Sequence, residues 1–486
     1  LAALSGSASV PLPGGWGAHA TATRSHTRLL YDVNGTMSDF TNVPEGRDLS
    51  ASVIWSYGDV GELKVFAIDQ WNQLGVVVDE PSYSGAFEAD ERHDMMVASW
   101  RDRLGAVRPS ISVSTAGAGR EQSFGVFVLE ATERVDQLRA HAAIETSSGW
   151  TFTAGADLER RTSRFRGSLP EDDHDVEPGA PRSSFDSRIR GERVGTFAEA
   201  DASASGRLRV TAGARADHSS LTGRWTLDPR LAAAYRLTGA ITVTGAWGMY
   251  HQAPAPFFFE PDVGDPALGP MRAVHWILGA QAGSGELLLR TEAYVKTYRD
   301  LAQWTRSNDV ARGGTGSSRG VDLFLRWPAI GGFGGRAAYS WIRARRTDPD
   351  AGIEARSPFE VSRVGSIVLE QRFGSSWTVA SAYRASTGRP VTPVLSATHD
   401  VERDIWVPEY GEPMAERLPD FRRLDLSVSR LLSITGADLT VLFLGLTNAL
   451  DRENLFGYRY SEDYTERIPV RSQFKRSIYF GASITF

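Results

Sequence analysis

Alternation with a period of two runs through this chain from end to end, and it limits the fold more than any other feature. In 208–217, Leu208, Val210, Ala212, Ala214 and Ala216 share one face, and Arg209, Thr211, Gly213, Arg215 and Asp217 share the other. In 287–296, Leu287, Leu289, Thr291, Ala293 and Val295 oppose Leu288, Arg290, Glu292, Tyr294 and Lys296. In 321–327, Val321, Leu323, Leu325 and Trp327 oppose Asp322, Phe324 and Arg326. The last segment sets Ile478, Phe480, Ala482, Ile484 and Phe486 against Ser477, Tyr479, Gly481, Ser483 and Thr485. Successive side chains of a strand point to opposite faces. Each segment therefore reads as a strand with one face in an apolar medium and the other in a polar one.

A soluble sandwich, propeller or solenoid alternates in the same way. Strand length and connection length argue against these. The strands run to about ten residues, the length that a tilted strand needs to cross a bilayer. Short connections fall at 11–15, 58–61, 147–149, 205–206, 238–239, 283–285, 328–332 and 374–376. Long ones fall near 32–47, 72–92, 166–188, 251–270, 299–315, 344–358, 387–419 and 449–474. Short turns at one end and long loops at the other mark an outer-membrane barrel. No blade-length repeat of a propeller is present. Mean hydropathy is −0.26, and no stretch approaches the ~18 apolar residues of a spanning helix. A barrel with a wet lumen has the same low hydropathy. Trp247, Tyr250, Trp327, Tyr339, Trp341, Trp377, Tyr383 and Tyr479 fall near strand ends, where aromatic rings meet the headgroup level.

The fold class read from this pattern is all-β: a transmembrane antiparallel barrel of about 22 strands filling residues 1–486 as one domain. About twenty-one strands are readable. The first, Leu4–Val10, and the last both run toward the short-turn side. Single-chain barrels have even strand numbers, so one more strand is expected upstream of residue 1. The chain has no cysteine, which excludes disulfide frameworks and thiolate metal sites. Net charge is −6 without a basic stripe, so no nucleic-acid partner is expected. Lys64, Lys296 and Lys475 are the only lysines among 53 basic residues.

Several segments carry a family resemblance. Arg417-Leu418-Pro419-Asp420-Phe421-Arg422-Arg423-Leu424-Asp425 resembles the R-L-P-x-[FY]-x-R-L-D stretch of TonB-dependent outer-membrane receptors. Asn448-Ala449-Leu450-Asp451-Arg452-Glu453-Asn454 is similar to their late N-[LA]-[FL]-[DN]-R-x-N segment. Asp228-Pro229-Arg230-Leu231, Tyr250-His251-Gln252-Ala253-Pro254 and Thr387-Gly388-Arg389-Pro390 resemble D-P-R-L, Y-x-Q-x-P and T-G-x-P. The matches keep their order over roughly 225–486; 1–224 fits by pattern alone. The resemblance implies a 22-stranded barrel in the bacterial outer membrane, occluded by an N-terminal plug through which a periplasmic TonB-type coupler acts. That plug is expected upstream of residue 1. The implied function is energy-coupled uptake of a scarce large nutrient such as a ferric siderophore, cobalamin, a glycan or a peptide. No enzyme chemistry, cofactor or resident metal is implied. Further implied partners are outer-membrane lipid, lipopolysaccharide and the insertion machinery, which would read the terminal Phe486. A passive pore and a structural barrel within a larger assembly are the competing readings.

Tyr250, His251, Gln252 and Phe257 near one strand mouth, with Trp304, Trp406 and Tyr410 in other long loops, are the candidate substrate-binding set, because exposed aromatics on loops mark recognition sites. Gly316-Ser317-Ser318-Arg319-Gly320 spells G-x-S-x-G, a nucleophile elbow only on a strand-to-helix turn; here it precedes a strand. Glu171–Glu177 is rich in acids but lacks the spacing of a calcium loop and reads as a solvated charge run. The inward Arg209, Arg215, Arg290 and Arg326 could focus a field on anionic cargo. The favoured expectation is that they pair with a plug or with Asp217, Glu292 and Asp322.

Overall fold

The computed structural model describes residues 3–485 apart from 36–39, 82, 173–174, 435–437 and 473–474. The chain opens with β1 (Ala3–Leu12), β2 (Trp16–His26), helix α1 (Arg28–Asn34), β3 (Phe40–Tyr57), β4 (Gly61–Asp79) and β5 (Ser84–Arg101). It continues with β6 (Val107–Phe124), β7 (Phe127–Glu145), β8 (Trp150–Pro170), β9 (Arg182–Ser205), β10 (Leu208–Ser219) and β11 (Arg224–Arg236). Next come β12 (Ile241–Gln252), β13 (Met271–Ser284), β14 (Leu287–Trp304), β15 (Val310–Ile330), β16 (Phe333–Thr347) and the short β17 (Glu354–Arg356). Then follow β18 (Arg363–Phe373), β19 (Trp377–Ser386), β20 (Pro390–Val391), β21 (Val394–Asp400), β22 (Ile405–Tyr410) and β23 (Glu416–Arg417). The last are β24 (Phe421–Leu432), β25 (Leu439–Thr447), β26 (Leu455–Tyr460), β27 (Arg467–Arg471) and β28 (Ser477–Thr485).

One antiparallel sheet holds 22 of these strands. One of the 22, β17, has three residues and pairs only with β16, which leaves twenty-one for the wall, as the alternation predicts. The ladder runs from β1 to β16 in chain order, then through β18, β19, β24, β25 and β28. Among the described residues no pairing joins β28 back to β1. The remaining strands form two-stranded hairpins in the loops. The expected strand tip at Phe486 lies outside the described residues.

Three stretches read as long loops are mostly strand. β4 and β5 leave only 80–83 between them, β8 and β9 only 171–181, and β14 and β15 only 305–309. Above the bilayer both faces of a strand meet water, so alternation fades while the backbone ladder still satisfies every N–H and C=O. The wall is therefore uneven: β3 to β9 have 18 to 24 residues, whereas β18, β19, β25 and β28 have 9 to 11.

The apolar face of this wall is turned outward. Trp276 is 60% exposed and Leu278 61%, and Leu138, Leu158, Val194 and Val295 are also open. Large exposed apolar side chains in continuous rows mark a surface that meets lipid. Buried apolar side chains sit instead at the rim and in the loops, among them Leu169, Phe185, Phe259, Ile405 and Leu418. A barrel keeps its fold through the ladder and has no central core.

Candidate ligand-binding site

Odd-numbered residues of β7 to β10 face the lumen, where the ladder brings opposite charges together. Arg161 lies 3.2 Å from Glu133 and 3.3 Å from Glu159. Arg193 bonds Glu159 and Asp217, each at 2.9 Å. Arg215 reaches Asp217 and Asp157, each at 2.6 Å, and Arg139 approaches Asp157 at 3.3 Å. Four arginines and four carboxylates thus form one continuous chain across four strands. Arg209 pairs with Asp201 at 2.8 Å, and Arg290 with Glu292 at 2.9 Å. The expected pairings of Arg215 with Asp217 and of Arg290 with Glu292 are present. Arg326 instead donates to the Glu286 carbonyl at 3.3 Å. The other members of the chain escaped the sequence reading, although their odd numbering on adjacent strands places them on one face.

Above this network, where β10 to β12 end, a cavity of about 450 Å³ opens into the lumen. Two sequence segments build its upper side. His251 Nδ1 lies 2.6 Å from Asp228 Oδ1, and the His251 N–H donates to Asp228 Oδ2 at 3.1 Å. The Arg230 guanidinium stacks 4.7 Å over the Tyr250 ring, and Gln252 lines the same cavity. Asp228 is 3% exposed and is held by these bonds. Arg224 and Arg230 also line the cavity, and among the described residues neither has a carboxylate partner. Glu159, Glu192, Asp217 and Asp228 share the lining with them, so the open guanidinia of Arg224 and Arg230 are the groups there with charge to offer an anion.

The remaining candidate residues lie above this cavity. Phe257 packs against Phe165 at 5.0 Å, Phe185 at 5.5 Å and Trp304 at 5.5 Å, while Phe258 stacks on Trp304 at 5.1 Å. This cluster folds the 253–270 loop onto β8, β9 and β14, and spends the faces of Phe257 and Trp304 on packing. Trp406 lies against His399, ring centres 5.1 Å apart, within the β21–β22 hairpin. Tyr410 lies under Arg306 at 4.2 Å. The structure thus gathers Tyr250, His251 and Gln252, and separately Phe257 and Trp304. Loop-to-loop bonds roof the mouth. Arg403 donates to Asp172 at 2.8 Å, Asn308 to the Pro170 carbonyl at 3.0 Å and Arg389 to the Phe456 carbonyl at 3.0 Å, and Arg459 pairs with Asp79. Asp173 and His174 of the acidic run lie outside the described residues. Gly316–Gly320 lies inside β15, on no strand-to-helix turn.

A family model described as TonB dependent receptor-like, beta-barrel matches residues 9–449. The chain belongs to the TonB-dependent receptor β-barrel family. It is an outer-membrane protein of TonB-coupled uptake and not an enzyme. A comparison with curated protein sequences finds no match. Among solved structures, the chain is similar to the ferric yersiniabactin uptake receptor FyuA from Yersinia pestis. That match has a TM-score of 0.75 at 12% identity, covering 100% of this chain and 78% of the other. The ferric citrate transporter FecA matches with a TM-score of 0.73 at 14% identity, over 99% of this chain and 75% of the other. The ferric-catecholate import receptor Fiu from K12 E. coli matches with a TM-score of 0.72 at 10% identity, over 99% and 80%.

The family segments have structural work to do in this receptor. The backbone of Leu418 passes so close to Gly388 that an added Cβ would lie 1.7 Å from the Leu418 carbonyl oxygen. Only glycine fits there. Arg417 enters the rim to pair with Glu360. The Asn454 amide bonds both the N–H and the carbonyl of Arg422, each at 3.0 Å. Asn448, at a left-handed φ of 48°, bonds the Arg452 N–H and carbonyl through its side chain. Asn tolerates that conformation better than most residues. These segments clamp the heads of β24 and β25, whereas D-P-R-L and Y-x-Q-x-P meet at the cavity.

Proposed function

We propose that this chain is the wall and ligand chamber of an energy-coupled receptor for a large anionic metal chelate of the ferric siderophore class. The observation that carries the reading is the cavity under the roof, where Arg224 and Arg230 stand without a carboxylate while the arginines below them are committed. Tyr250, His251 and Gln252 belong to the same chamber. Trp406 and Tyr410 belong to its roof, and Phe257 and Trp304 hold the loop that bounds it. The similarity to FyuA, FecA and Fiu, which take ferric yersiniabactin, ferric citrate and ferric catecholates, supports the substrate class. A plug and one further strand upstream of residue 1 complete the device. Among the described residues β1 and β28 each keep one unpaired edge, which supports the further strand, since an open edge in lipid leaves N–H and C=O groups unsatisfied.

The test uses the full receptor gene in iron-starved cells supplied with a panel of radiolabelled ferric chelates. At least one chelate is taken up only when the energy coupler is present, and Arg224→Gln with Arg230→Gln lowers its affinity by about tenfold or more, one charge-assisted contact being worth about 1.5–3 kcal/mol. In planar bilayers the receptor conducts almost nothing. Steady large conductance with coupler-independent flux would establish the passive pore instead. Unchanged affinity in the double variant would remove the chamber from recognition.

A further inference from the structure

The lumen face of the wall has two unlike sides. Residues directly opposite one another on paired strands share a face. Ser7 stands opposite Thr21, and Thr21 opposite Ser50. The same row continues through β4 to β8, where it reaches Ala116, Val135 and Arg161. Ser7, Thr21 and Ser50 therefore share the lumen face with the ion-pair chain, but the chemistry around them differs. β1 puts Ser5, Ser7 and Ser9 on that face, all exposed, and β2 adds Thr21 and Thr23. The one titratable side chain there, His19, holds a hydroxyl at each ring nitrogen, Ser9 at 2.8 Å and Thr21 at 3.0 Å. On β3 Ser50 and Ser52 follow, and the first fixed charge beyond them, Asp48, accepts a hydrogen bond from Gln70 at 2.7 Å. At the other end of the ladder Ser427 and Ser429 of β24 oppose Gly445 and Phe443, and Gly481 and Ser483 of β28 share their face. Where β1 to β3 approach their short turns, a cavity of about 430 Å³ lined by Ser9, Gly17, His19, Ser52 and Ile54 opens on the same side.

We propose that the anionic chelate leaves the chamber across the lumen and passes down this serine-lined side, in contact with Ser7 and Ser50. The chamber has no comparable exit beneath it. Its floor is lined by Glu159, Arg161, Arg193, Arg215 and Asp217, which belong to the ion-pair chain. An anion descending there must break those pairs and then meet their carboxylates. A route also needs contacts favourable enough to enter and weak enough to leave. An open guanidinium holds an anion by a charge-assisted bond about twice as strong as a neutral one, which suits capture in the chamber. A hydroxyl donates or accepts in place of water and fixes no charge, which suits release. This inference rests on the uptake reading above and adds the route to it.

The test places single cysteines in the full receptor, in iron-starved cells supplied with a mixture of ferric citrate, a ferric catecholate and ferric yersiniabactin. The 486 residues contain no cysteine, and the receptor without an introduced one sets the background. A charged, membrane-impermeant thiol reagent is added with and without the chelates, and with and without the energy coupler. Ser7→Cys and Ser50→Cys are modified at least about tenfold faster when chelates and coupler are both present, because transport raises the population in which the route is open. Ala116→Cys and Val135→Cys, on the lumen face of β6 and β7, change by less than about twofold. Ser50→Arg, which sets a fixed charge on the route, lowers the maximal uptake rate at least about tenfold while chelate affinity stays within about twofold, whereas Ala116→Arg leaves both within about twofold. Heat-modifiable gel mobility reports folding, and Ser52→Cys replaces either serine variant that does not fold. Equal modification rates at Ser7, Ser50, Ala116 and Val135 in a receptor that does take up chelate, or faster modification at Ala116 and Val135 alone, would overturn the route and leave the uptake reading standing. Absence of coupler-dependent uptake of all three chelates by the unmodified receptor would overturn the uptake reading, and the route with it.

Discussion

Arg417→Met is the substitution whose effect the structure fixes best. The Glu360 side chain is 4% exposed and that of Arg417 26%. The guanidinium pairs with the carboxylate and also donates to the Glu360 and Gly388 carbonyls at 3.2 and 3.0 Å and to the Ser362 hydroxyl at 2.7 Å. Removing it leaves a buried carboxylate held by the Ala344 N–H at 2.6 Å and the Ser362 hydroxyl at 2.8 Å. Breaking a buried pair from one side costs about 3–5 kcal/mol. The two surviving hydrogen bonds and the partial exposure of Arg417 reduce that to about 2–4 kcal/mol. Glu360→Gln alone keeps acceptors for the arginine and costs about 1–2 kcal/mol. The double variant carries no stranded charge, so it falls short of the sum by about 2 kcal/mol. Urea unfolding of the full receptor in lipid vesicles, followed by tryptophan fluorescence, measures all four corners of this cycle. Additivity within about 0.5 kcal/mol would refute the account of Arg417 as the partner of a buried charge.

Two further outcomes follow from the rim. Gly388→Ala forces the Leu418 carbonyl aside and destabilises the receptor by about 1–3 kcal/mol in the same urea assay, whereas Gly457→Ala, where an added Cβ meets nothing within 4 Å, costs at most about 1 kcal/mol. The Arg403 side chain, by hydrogen bonding, holds the Asp400 carboxyl below its ordinary range, so its contribution is complete above the unfolded value of about 3.9 and is lost as pH falls through the lower folded value. A spin label on a cysteine placed at Val401 therefore gains mobility only below pH ~3.9, and Arg403→Ala gives that mobility at neutral pH.

Most of the wall was legible because alternation is dictated wherever lipid lies on one side and water on the other. Leu287 to Val295 and Ile478 to Ile484 were read in the correct faces for that reason. The upper parts of β4, β5, β8 and β9 were not, because Glu88, Asp90, Arg164 and Arg166 meet water whichever way they point. Spacing within one strand disclosed Arg215 with Asp217 and Arg290 with Glu292. It could not disclose Arg193 with Glu159, which depends on the register between strands. In the candidate set, Tyr250 and Gln252 reached the chamber because they alternate inward on β12. Trp304 and Phe257 were marked as aromatic without any sign that they would bury their faces against each other.

The uneven height of the wall has a mechanical consequence. On the side of β3 to β9 the rim is backbone ladder, and such a rim opens only by breaking many hydrogen bonds together. On the side of β18 to β28 the strands stop early, and the rim is carried by the 387–420 and 448–476 loops, which have their own small hairpins and are pinned to the strand heads by side-chain bonds such as Arg417 to Glu360 and Asn454 to Arg422. Arg403 and Arg459 reach from that side to Asp172 and Asp79 on the tall one. The mouth thus joins a rim of continuous ladder to a rim of loops, and the Arg403–Asp172 and Arg459–Asp79 pairs are among the bonds that span the two.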